Sequence, residues 1–119
     1  MLTEKDQAEI TQKVNLYFNG SYYANEADLR KAFHKDAIIA GSFDGQYVEW
    51  SLKQFIDRIM QAQSHKQEPF LKELLSMEGE KDIAVAKTKV MAGKHIFTDY
   101  ISLIKIEGEW LIRYKSFTN

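Results

Sequence analysis

The C-terminal half of the sequence constrains the fold most, because it consists of β-favouring segments separated by very short connections. Four segments are predicted as strands: Phe70–Glu78, Ile83–Met91, His95–Ile106 and Glu109–Phe117. The three connections between successive strands are only a few residues long, and each contains glycine or other turn-forming residues. Connections this short allow only antiparallel neighbours, so the four strands are predicted to form an antiparallel meander.

The N-terminal segment carries the signals of an amphipathic helix. Thr3 followed by Asp6 resembles a capping box, with Asp in place of the usual Glu or Gln. Apolar residues recur at helical spacing and give the helix one buried face: Ile10, Val14, Tyr17 and Phe18. The turn-forming sequence Asn19-Gly20-Ser21 is predicted to end this helix at about Asn19.

Two further helices are predicted before the meander. The first spans Glu26 to Phe33 and has Asn25 as its N-cap. The second begins after Ser51, and its inward face is formed by Phe55, Ile56, Ile59 and Met60. The polar stretch Gln63–Pro69, which contains the chain's proline, is predicted to close it.

A β-hairpin is predicted between these two helices. The segment Ala37–Phe43 consists of small or β-favouring residues, Asp44-Gly45 is a strong turn signal, and Tyr47–Glu49 returns as the partner strand. The resulting order of elements is α-α-β-β-α-β-β-β-β. This order predicts one α+β domain over residues 1–119, in which the helices pack into a curved antiparallel sheet.

Composition excludes several classes of function. The 16 basic and 17 acidic residues are nearly balanced and evenly spread, so the basic patch of a nucleic-acid binder is missing. The absence of cysteine excludes disulfides and thiolate chemistry. The three histidines lack metal-ligand spacing, no Gly-rich phosphate loop occurs, and we predict no metal and no cofactor. A charged N-terminus and the lack of a long apolar run predict a cytoplasmic protein without a membrane span.

Six short motifs along nearly the whole chain carry a resemblance to a known family. They are Tyr17-Phe18-Asn19-Gly20, Ala32-Phe33-His34-Lys35-Asp36-Ala37, Phe55-Ile56, Phe97-Thr98-Asp99-Tyr100, Gly108-Glu109-Trp110 and Lys115-Ser116-Phe117. With them the sequence resembles the nuclear transport factor 2-like superfamily, and within it the small bacterial proteins labelled SnoaL-like or lumazine-binding. The resemblance implies a cone-shaped, cystatin-like α+β roll with an open mouth, and a homodimer. Superfamily members range from enzymes to pure adaptors, so the fold does not decide the function.

His34 is the first candidate for acid–base chemistry. It is predicted to lie with Asp36 at the junction of the second helix and the first strand, near the mouth of a cavity. Its imidazole titrates near neutrality and suits a general acid or base. The alternative is structural, in which His34 bonds the backbone at the junction and Asp36 holds a turn. The residues favour the structural interpretation.

Asp99 is the second candidate, because aspartate is rare inside strands. Alternation puts it on one face with Phe97 and Ile101, but both faces of the strand are partly apolar. If Asp99 points inward, it is a carboxylate in apolar surroundings that suits proton transfer. If it points outward, it is a cross-strand partner for a basic residue such as Lys115.

Four more residues are candidates for ligand contacts. Tyr17, Trp50 and Tyr100 combine stacking surface with polar tips. Aromatic residues at regular spacing are also common in cores, and Trp110 is predicted to anchor the last hairpin there. Lys115 lies in the last strand, where a lysine is usually solvated, and only an inward orientation makes it a ligand contact.

Three functions remain open from the sequence. The first is a small-molecule-binding domain with a partly apolar cavity for an apolar or aromatic ligand. The second is a cofactor-independent isomerase, dehydratase or cyclase with His34 or Asp99 as general acid or base. The third is a dimerisation or adaptor module. A homodimer through the sheet is expected in each case, because the strands carry a surplus of apolar and aromatic residues.

Overall fold

The fold is described from a computed structural model, which covers residues 1–62 and 69–119. The helices are α1 (Glu4–Tyr23), α2 (Glu26–Ala32) and α3 (Leu52–Ala62). The strands are β1 (Phe33–Phe43), β2 (Gln46–Ser51), β3 (Phe70–Glu80), β4 (Ile83–Ala92), β5 (His95–Ile106) and β6 (Glu109–Thr118). They form one curved sheet in the order β2-β1-β6-β5-β4-β3, with the helices packed on one face. The predicted α+β class, the meander and the hairpin are confirmed.

One pairing in the sheet is parallel, which the sequence analysis did not predict. Strand β1 runs parallel to β6, from Phe33 beside Ile112 to Ser42 beside Thr118, whereas the other four pairings are antiparallel. No short turn joins β1 to β6, since β2, α3 and the first three strands of the meander lie between them in the chain. The rule that short connections impose antiparallel neighbours therefore does not apply to this pair.

The predicted N-caps are confirmed by side-chain hydrogen bonds. Thr3 and Asp6 form the reciprocal capping box of α1, at 3.0 and 3.2 Å. Asn25 accepts from the backbone N–H of Asp28 at the start of α2. Ser51 accepts from the N–H of Gln54, whose side chain accepts in return from the N–H of Ser51, so α3 also begins with a capping box.

Helix α1 continues one turn beyond its predicted end, so the prediction that Asn19-Gly20-Ser21 stops it is wrong. The helix ends at Tyr23, and its C-cap Ala24 adopts the left-handed conformation with φ of 52°. Gly20 is helical because α2 packs closely against it: a Cβ at this position would lie 2.8 Å from Leu29 Cγ. Glycine serves here as a close-packing site rather than as a helix terminator.

Helix α3 ends at Ala62, and residues 63–68, in which its closing segment was predicted, lie outside the described part of the chain. Phe55 and Ile56 are buried and Ile59 packs against the core, as predicted. Met60 was predicted on the same inward face, but its side chain is exposed, because it lies at the edge of the apolar stripe. No helix among residues 1–62 and 69–119 is long and apolar enough to cross a membrane.

Strands β1 and β6 are both irregular where they pair. Between Phe33 and Ile38, β1 has four residues opposite a single residue of β6, Arg113. The Arg113 guanidinium donates to the carbonyl oxygen of Asp36 at 2.6 Å, and this hydrogen bond joins the irregular part of β6 to that of β1. The first strand starts at Phe33 rather than at the predicted Ala37, because the pairing of Phe33 with Ile112 extends the strand back to the end of α2.

The buried indole of Trp110 joins the start of α1 to the last hairpin, which confirms its predicted place in the core. Its Nε1 donates to the Asp6 carboxylate at 3.0 Å, and Lys105 donates to the same oxygen at 3.3 Å. The hydrogen bond from Trp110, with those from Thr3 and Lys105, holds the pKa of the Asp6 carboxyl well below its usual value. A single carboxylate thus caps the helix and satisfies the core tryptophan.

We expect Gly20→Ala to destabilise the protein, although alanine is favoured over glycine by about 1 kcal/mol in an open helix. The new methyl group would meet the fully buried Leu29, and overpacking of this kind costs roughly 1–3 kcal/mol. The free energy of unfolding, measured with urea, should fall. Asn15→Ala, at an exposed position of the same helix, is the matched control and should leave stability unchanged or raise it.

Candidate functional site

A cavity of about 300 Å³ lies between the helices and the concave face of the sheet. Most of its wall is aromatic or aliphatic, and its lining includes Tyr17, Trp50, Phe55, His95, Phe97, Lys115 and Phe117. They come from α1, α3 and strands β2, β5 and β6. A volume of this size lies at the lower end of the range for small-molecule sites.

A chain of hydrogen bonds runs from the cavity wall into the core. Lys115 Nζ donates to Tyr17 Oη at 2.7 Å, and Tyr17 Oη donates to Asp99 Oδ2 at 2.7 Å. Thr88 Oγ1 donates to the same carboxylate oxygen at 2.9 Å. Asp99 Oδ1 is buried and has no hydrogen-bond partner among the described residues. The chain thus places a carboxylate behind a phenol and an amine at the cavity surface, and we call Lys115, Tyr17 and Asp99 the relay.

The amine of Lys115 lies in a cradle of aromatic rings. Its Nζ is 4.3 Å from the ring centroid of Tyr17, 4.6 Å from that of Phe55 and 5.6 Å from that of Phe117. Each such contact favours a cation by about 0.5–2 kcal/mol, whereas removing an ammonium from water costs several kcal/mol. Burial therefore prevails and lowers the pKa of Lys115, although the negative charge of Asp99 acts in the opposite direction.

The hydroxyl of Tyr17 stays protonated under all ordinary conditions. Burial raises its pKa well above 10, and the charge of Asp99 and the hydrogen bond to it raise it further. Tyr17 can therefore accept a proton from Lys115 only while it passes its own proton to Asp99. The phenol can serve as a conductor of protons between amine and carboxylate without becoming a phenolate.

A β-bulge decides that Lys115 faces the cavity. Trp110 and Ile112 point inward, so strict alternation would continue with Tyr114 and leave Lys115 in solvent. Arg113 is inserted between the pairs Leu103–Ile112 and Ser102–Tyr114, and this extra residue shifts the alternation by one. Beyond the bulge, Lys115 and Phe117 are buried and Tyr114 is exposed.

Aromatic stacking shapes the rest of the cavity. Trp50 stacks on Phe117 with centroids 5.7 Å apart and an interplanar angle of 16°, and the Arg58 guanidinium lies 4.5 Å from the Trp50 ring centroid. His95 lies beside Phe43 and Phe97 and brings an imidazole to the wall. The sequence analysis did not single out Arg58 or His95, since both look like ordinary solvated residues.

Three of the predicted ligand contacts line the cavity: Tyr17, Trp50 and Lys115. Asp99 is almost fully buried and points inward, one layer behind Tyr17. Tyr100, next to it on the same strand, is 52% exposed on the opposite face of the sheet, where Lys87 lies over its ring. The predicted place of Tyr100 in the cavity is therefore wrong, because alternation along β5 sends its side chain outward.

His34 does not line the cavity. It lies in the irregular part of β1, where its Nδ1 accepts a hydrogen bond from the backbone N–H of Asp36 at 3.0 Å. This is the backbone contact that the structural interpretation predicts for His34. Among residues 1–62 and 69–119, no group of three or more His, Cys, Asp and Glu side chains is arranged to hold a metal ion.

The fold is shared with solved structures of other proteins. Solved structures with the same fold include an NTF-2 like protein of unknown function from Silicibacter pomeroyi, with a TM-score of 0.89 and 22% identity over 99% of this chain and 98% of that one. A second, from Shewanella baltica, has a TM-score of 0.85 and 20% identity, with 99% and 96% of the two chains covered. A protein of unknown function with a cystatin-like fold, from Nostoc punctiforme, has a TM-score of 0.75 and 13% identity, with 98% and 92% of the two chains covered.

The chain belongs to the family described as "Putative lumazine-binding", which it matches over residues 5–118. It is also similar to a protein named aldolase FrzH from a Cladobotryum species. The two are 27% identical over 117 residues, which cover 98% of this chain and 93% of the relative. The predicted resemblance to the nuclear transport factor 2-like superfamily is confirmed.

We expect Asp99 and Lys115 to be strongly coupled in stability. Asp99→Asn removes the negative charge near the buried ammonium and should cost about 3 kcal/mol in the free energy of unfolding. Lys115→Met removes the cation instead. The double variant should lose about 1–3 kcal/mol less than the sum of the single losses, because it buries no unpaired ion. Urea denaturation of all four proteins measures this difference, and strictly additive losses would show that the two charges do not interact.

Proposed function

We propose that this domain binds a small, mainly apolar molecule in the cavity, with its polar end against Lys115. The observation that carries the proposal is a cavity with apolar, aromatic walls into which a single buried amine is brought by a bulge. A side chain that only stabilised the fold would be better apolar at this position, since burying the ammonium is costly.

The chemistry of the wall specifies the ligand class. The stacked rings of Trp50 and Phe117 offer a flat apolar surface, and Lys115 and Arg58 offer two cationic groups beside it. The buried Ser21 hydroxyl also lines the cavity, and its oxygen has no hydrogen-bond partner among the described residues. A planar, partly aromatic molecule with a carbonyl or acidic oxygen matches these features. The family's lumazine-binding description is consistent with a ligand of this shape.

The relay also supports a second candidate function, a cofactor-independent enzyme that moves a proton next to a carbonyl. In that reaction Asp99 would act as the base through Tyr17, which reaches the cavity where Asp99 does not. The similarity to a protein named aldolase is consistent with carbonyl chemistry. The candidate rests on Asp99 and Lys115 rather than on His34, which lies away from the cavity.

We expect the fluorescent dye anilinonaphthalene sulfonate to bind once per chain, since its rings and its sulfonate match the aromatic wall and the cationic groups. Ala92→Trp, which places an indole in the cavity wall, should weaken binding by at least roughly tenfold, or about 1.4 kcal/mol. The dissociation constant follows from a fluorescence titration.

The matched control is Lys89→Trp, which introduces the same side chain on the same strand at an exposed position. This variant should bind the dye like the wild type. Circular dichroism melting of each variant checks that it is folded, because unfolded or loosened proteins bind this dye nonspecifically. Equal binding by both tryptophan variants would place the dye outside the cavity and contradict the proposal.

We further propose a homodimer formed through the outer face of the sheet. Five large apolar or aromatic side chains are at least 46% exposed there: Leu71, Ile83, Ile96, Tyr100 and Tyr114. Such a surface is more apolar than a lone domain usually presents to water. If the cavity does not bind small molecules, the apolar outer face supports the third candidate function, that of an adaptor or dimerisation module.

We expect light-scattering chromatography at micromolar concentration to give the mass of two chains. Tyr100→Glu should convert the dimer to the monomer, since it buries a carboxylate in the interface. Within one chain the same carboxylate lies next to Lys87, so the fold itself should tolerate it. Gln12→Glu, on the exposed side of α1, is the control and should remain dimeric. A wild-type protein with the mass of one chain would contradict the dimer.

A further inference from the structure

We propose that Lys115 is a nucleophilic amine that forms an imine with an aldehyde or ketone bound in the cavity. This inference rests on the proposed function, since it requires that a small molecule enters the cavity, and it adds the chemical class of that molecule. Its basis is geometric: Lys115 lines the cavity, lies against apolar rings and is connected to a buried carboxylate through Tyr17.

A comparison with Lys13 shows that the environment of Lys115 is not that of a structural lysine. Both side chains are buried, with 8% and 7% exposure. Lys13 makes a direct ion pair with Glu109 at 2.6 Å and donates to the carbonyl oxygen of Lys31 at 3.0 Å, so its ammonium is well compensated. Lys115 has no direct carboxylate contact among the described residues, because the phenol of Tyr17 lies between it and Asp99.

The hydrogen bonds of Lys115 leave its ammonium group poorly compensated. An ammonium has three N–H donors, and among the described residues Nζ donates to one acceptor, Tyr17 Oη. The groups around it from α3 are the ring of Phe55 and, farther along the wall, the cation of Arg58, neither of which accepts a hydrogen bond in the ordinary sense. Burial in these surroundings lowers the pKa of Lys115 and favours the free amine that nucleophilic attack requires.

The relay supplies a place for the proton that must leave Lys115. The ammonium passes a proton to Tyr17 Oη while Tyr17 passes its own to Asp99 Oδ2, which leaves a neutral amine, an intact phenol and a protonated carboxyl group. No phenolate forms at any point. The transfer removes the positive charge of Lys115 and the negative charge of Asp99 together. The net charge of the pair is therefore zero before and after it.

The reaction then balances without any further reagent. The nitrogen lone pair forms a bond to the carbonyl carbon, and the carbonyl π electrons move to oxygen, which takes up the proton released by nitrogen. In the second step the remaining nitrogen lone pair forms the C=N bond, the C–O bond breaks, and the hydroxyl leaves as water with the second amine proton. Carbonyl compound and amine thus become imine and one water molecule.

The walls restrict the carbonyl compound. The cavity of about 300 Å³ fits a molecule of one or two rings, and the stacked pair of Trp50 and Phe117 favours a flat one. We therefore infer an aromatic or otherwise planar aldehyde or ketone, with its carbonyl carbon next to Lys115 and its rings against the stacked pair. Naphthaldehyde is a probe of this shape.

The experiment incubates the wild-type protein with naphthaldehyde and cyanoborohydride, which reduces an imine to a stable secondary amine but leaves the free aldehyde largely unreduced. We expect one adduct per chain, with a mass increase equal to the aldehyde minus one oxygen atom, and peptide mapping should locate it at Lys115. Adducts spread evenly over the surface lysines would overturn the proposal. Because the mapping uses the unchanged protein, the result does not depend on the folding of a variant.

Variants define the roles of the residues. Lys115→Met should abolish the adduct, whereas Lys89→Met, at an exposed position of β4, should keep it. Tyr17→Phe retains the ring but breaks the relay, so the rate of imine formation should fall at least tenfold. An unchanged rate in Tyr17→Phe would overturn the part of the proposal that assigns proton transfer to the relay.

Naphthalenemethanol separates this inference from the proposed function, because it has the same rings but no carbonyl group. If it displaces anilinonaphthalene sulfonate and naphthaldehyde labels Lys115, both proposals are supported. If it displaces the dye and naphthaldehyde gives no adduct at Lys115, the imine is overturned and the binding function stands. If neither the dye nor the alcohol binds, both proposals fall.

Discussion

The burial of one ammonium group is the constraint on which the interior of this domain depends. Lys115 can remain inside only because Tyr17 accepts its hydrogen bond and because Asp99 supplies a negative charge behind the phenol. The three groups come from β6, α1 and β5, so the first helix, the fifth strand and the last strand must be in place together. Thr88 brings β4 into the same network through its bond to Asp99. The polar centre thereby fixes how the helix lies on the sheet.

The architecture was largely predictable from the sequence because it follows from local signals. The capping residues Thr3, Asn25 and Ser51 mark where the helices begin, and the short turns between the last four strands impose their antiparallel order. The predictions that were wrong or missing concern contacts between residues that are distant in the chain. Gly20 looks like a helix terminator, and only the packing of Leu29 against it explains a helical conformation. The parallel pairing of β1 with β6 likewise joins segments that are distant in the chain.

The candidate site was predictable only in part, for a similar reason. Asp99 stood out because a carboxylate inside a strand needs an explanation, and its partners Tyr17 and Thr88 provide one. The orientation of Lys115 was hidden, because alternation counted from Trp110 places it in solvent. Asp99 and Lys115 were considered as a cross-strand pair on the outer face, whereas the structure brings them into one network inside, with Tyr17 between them. Side-chain direction in a strand follows from register, and a bulge changes register without a clear signal in composition.

The inserted residue Arg113 also means that the chemistry of this interior is set by the register of β6 as well as by residue type. If Arg113 stayed in the strand but paired regularly, the inner and outer sets beyond it would exchange, so that Tyr114 and Ser116 would replace Lys115 and Phe117 inside. A basic interior would then become one lined with hydroxyl groups, although no residue had been changed. A shift of register by one residue is therefore a route by which domains of this architecture can acquire a different reactivity while the helices and the remaining five strands keep their sequence.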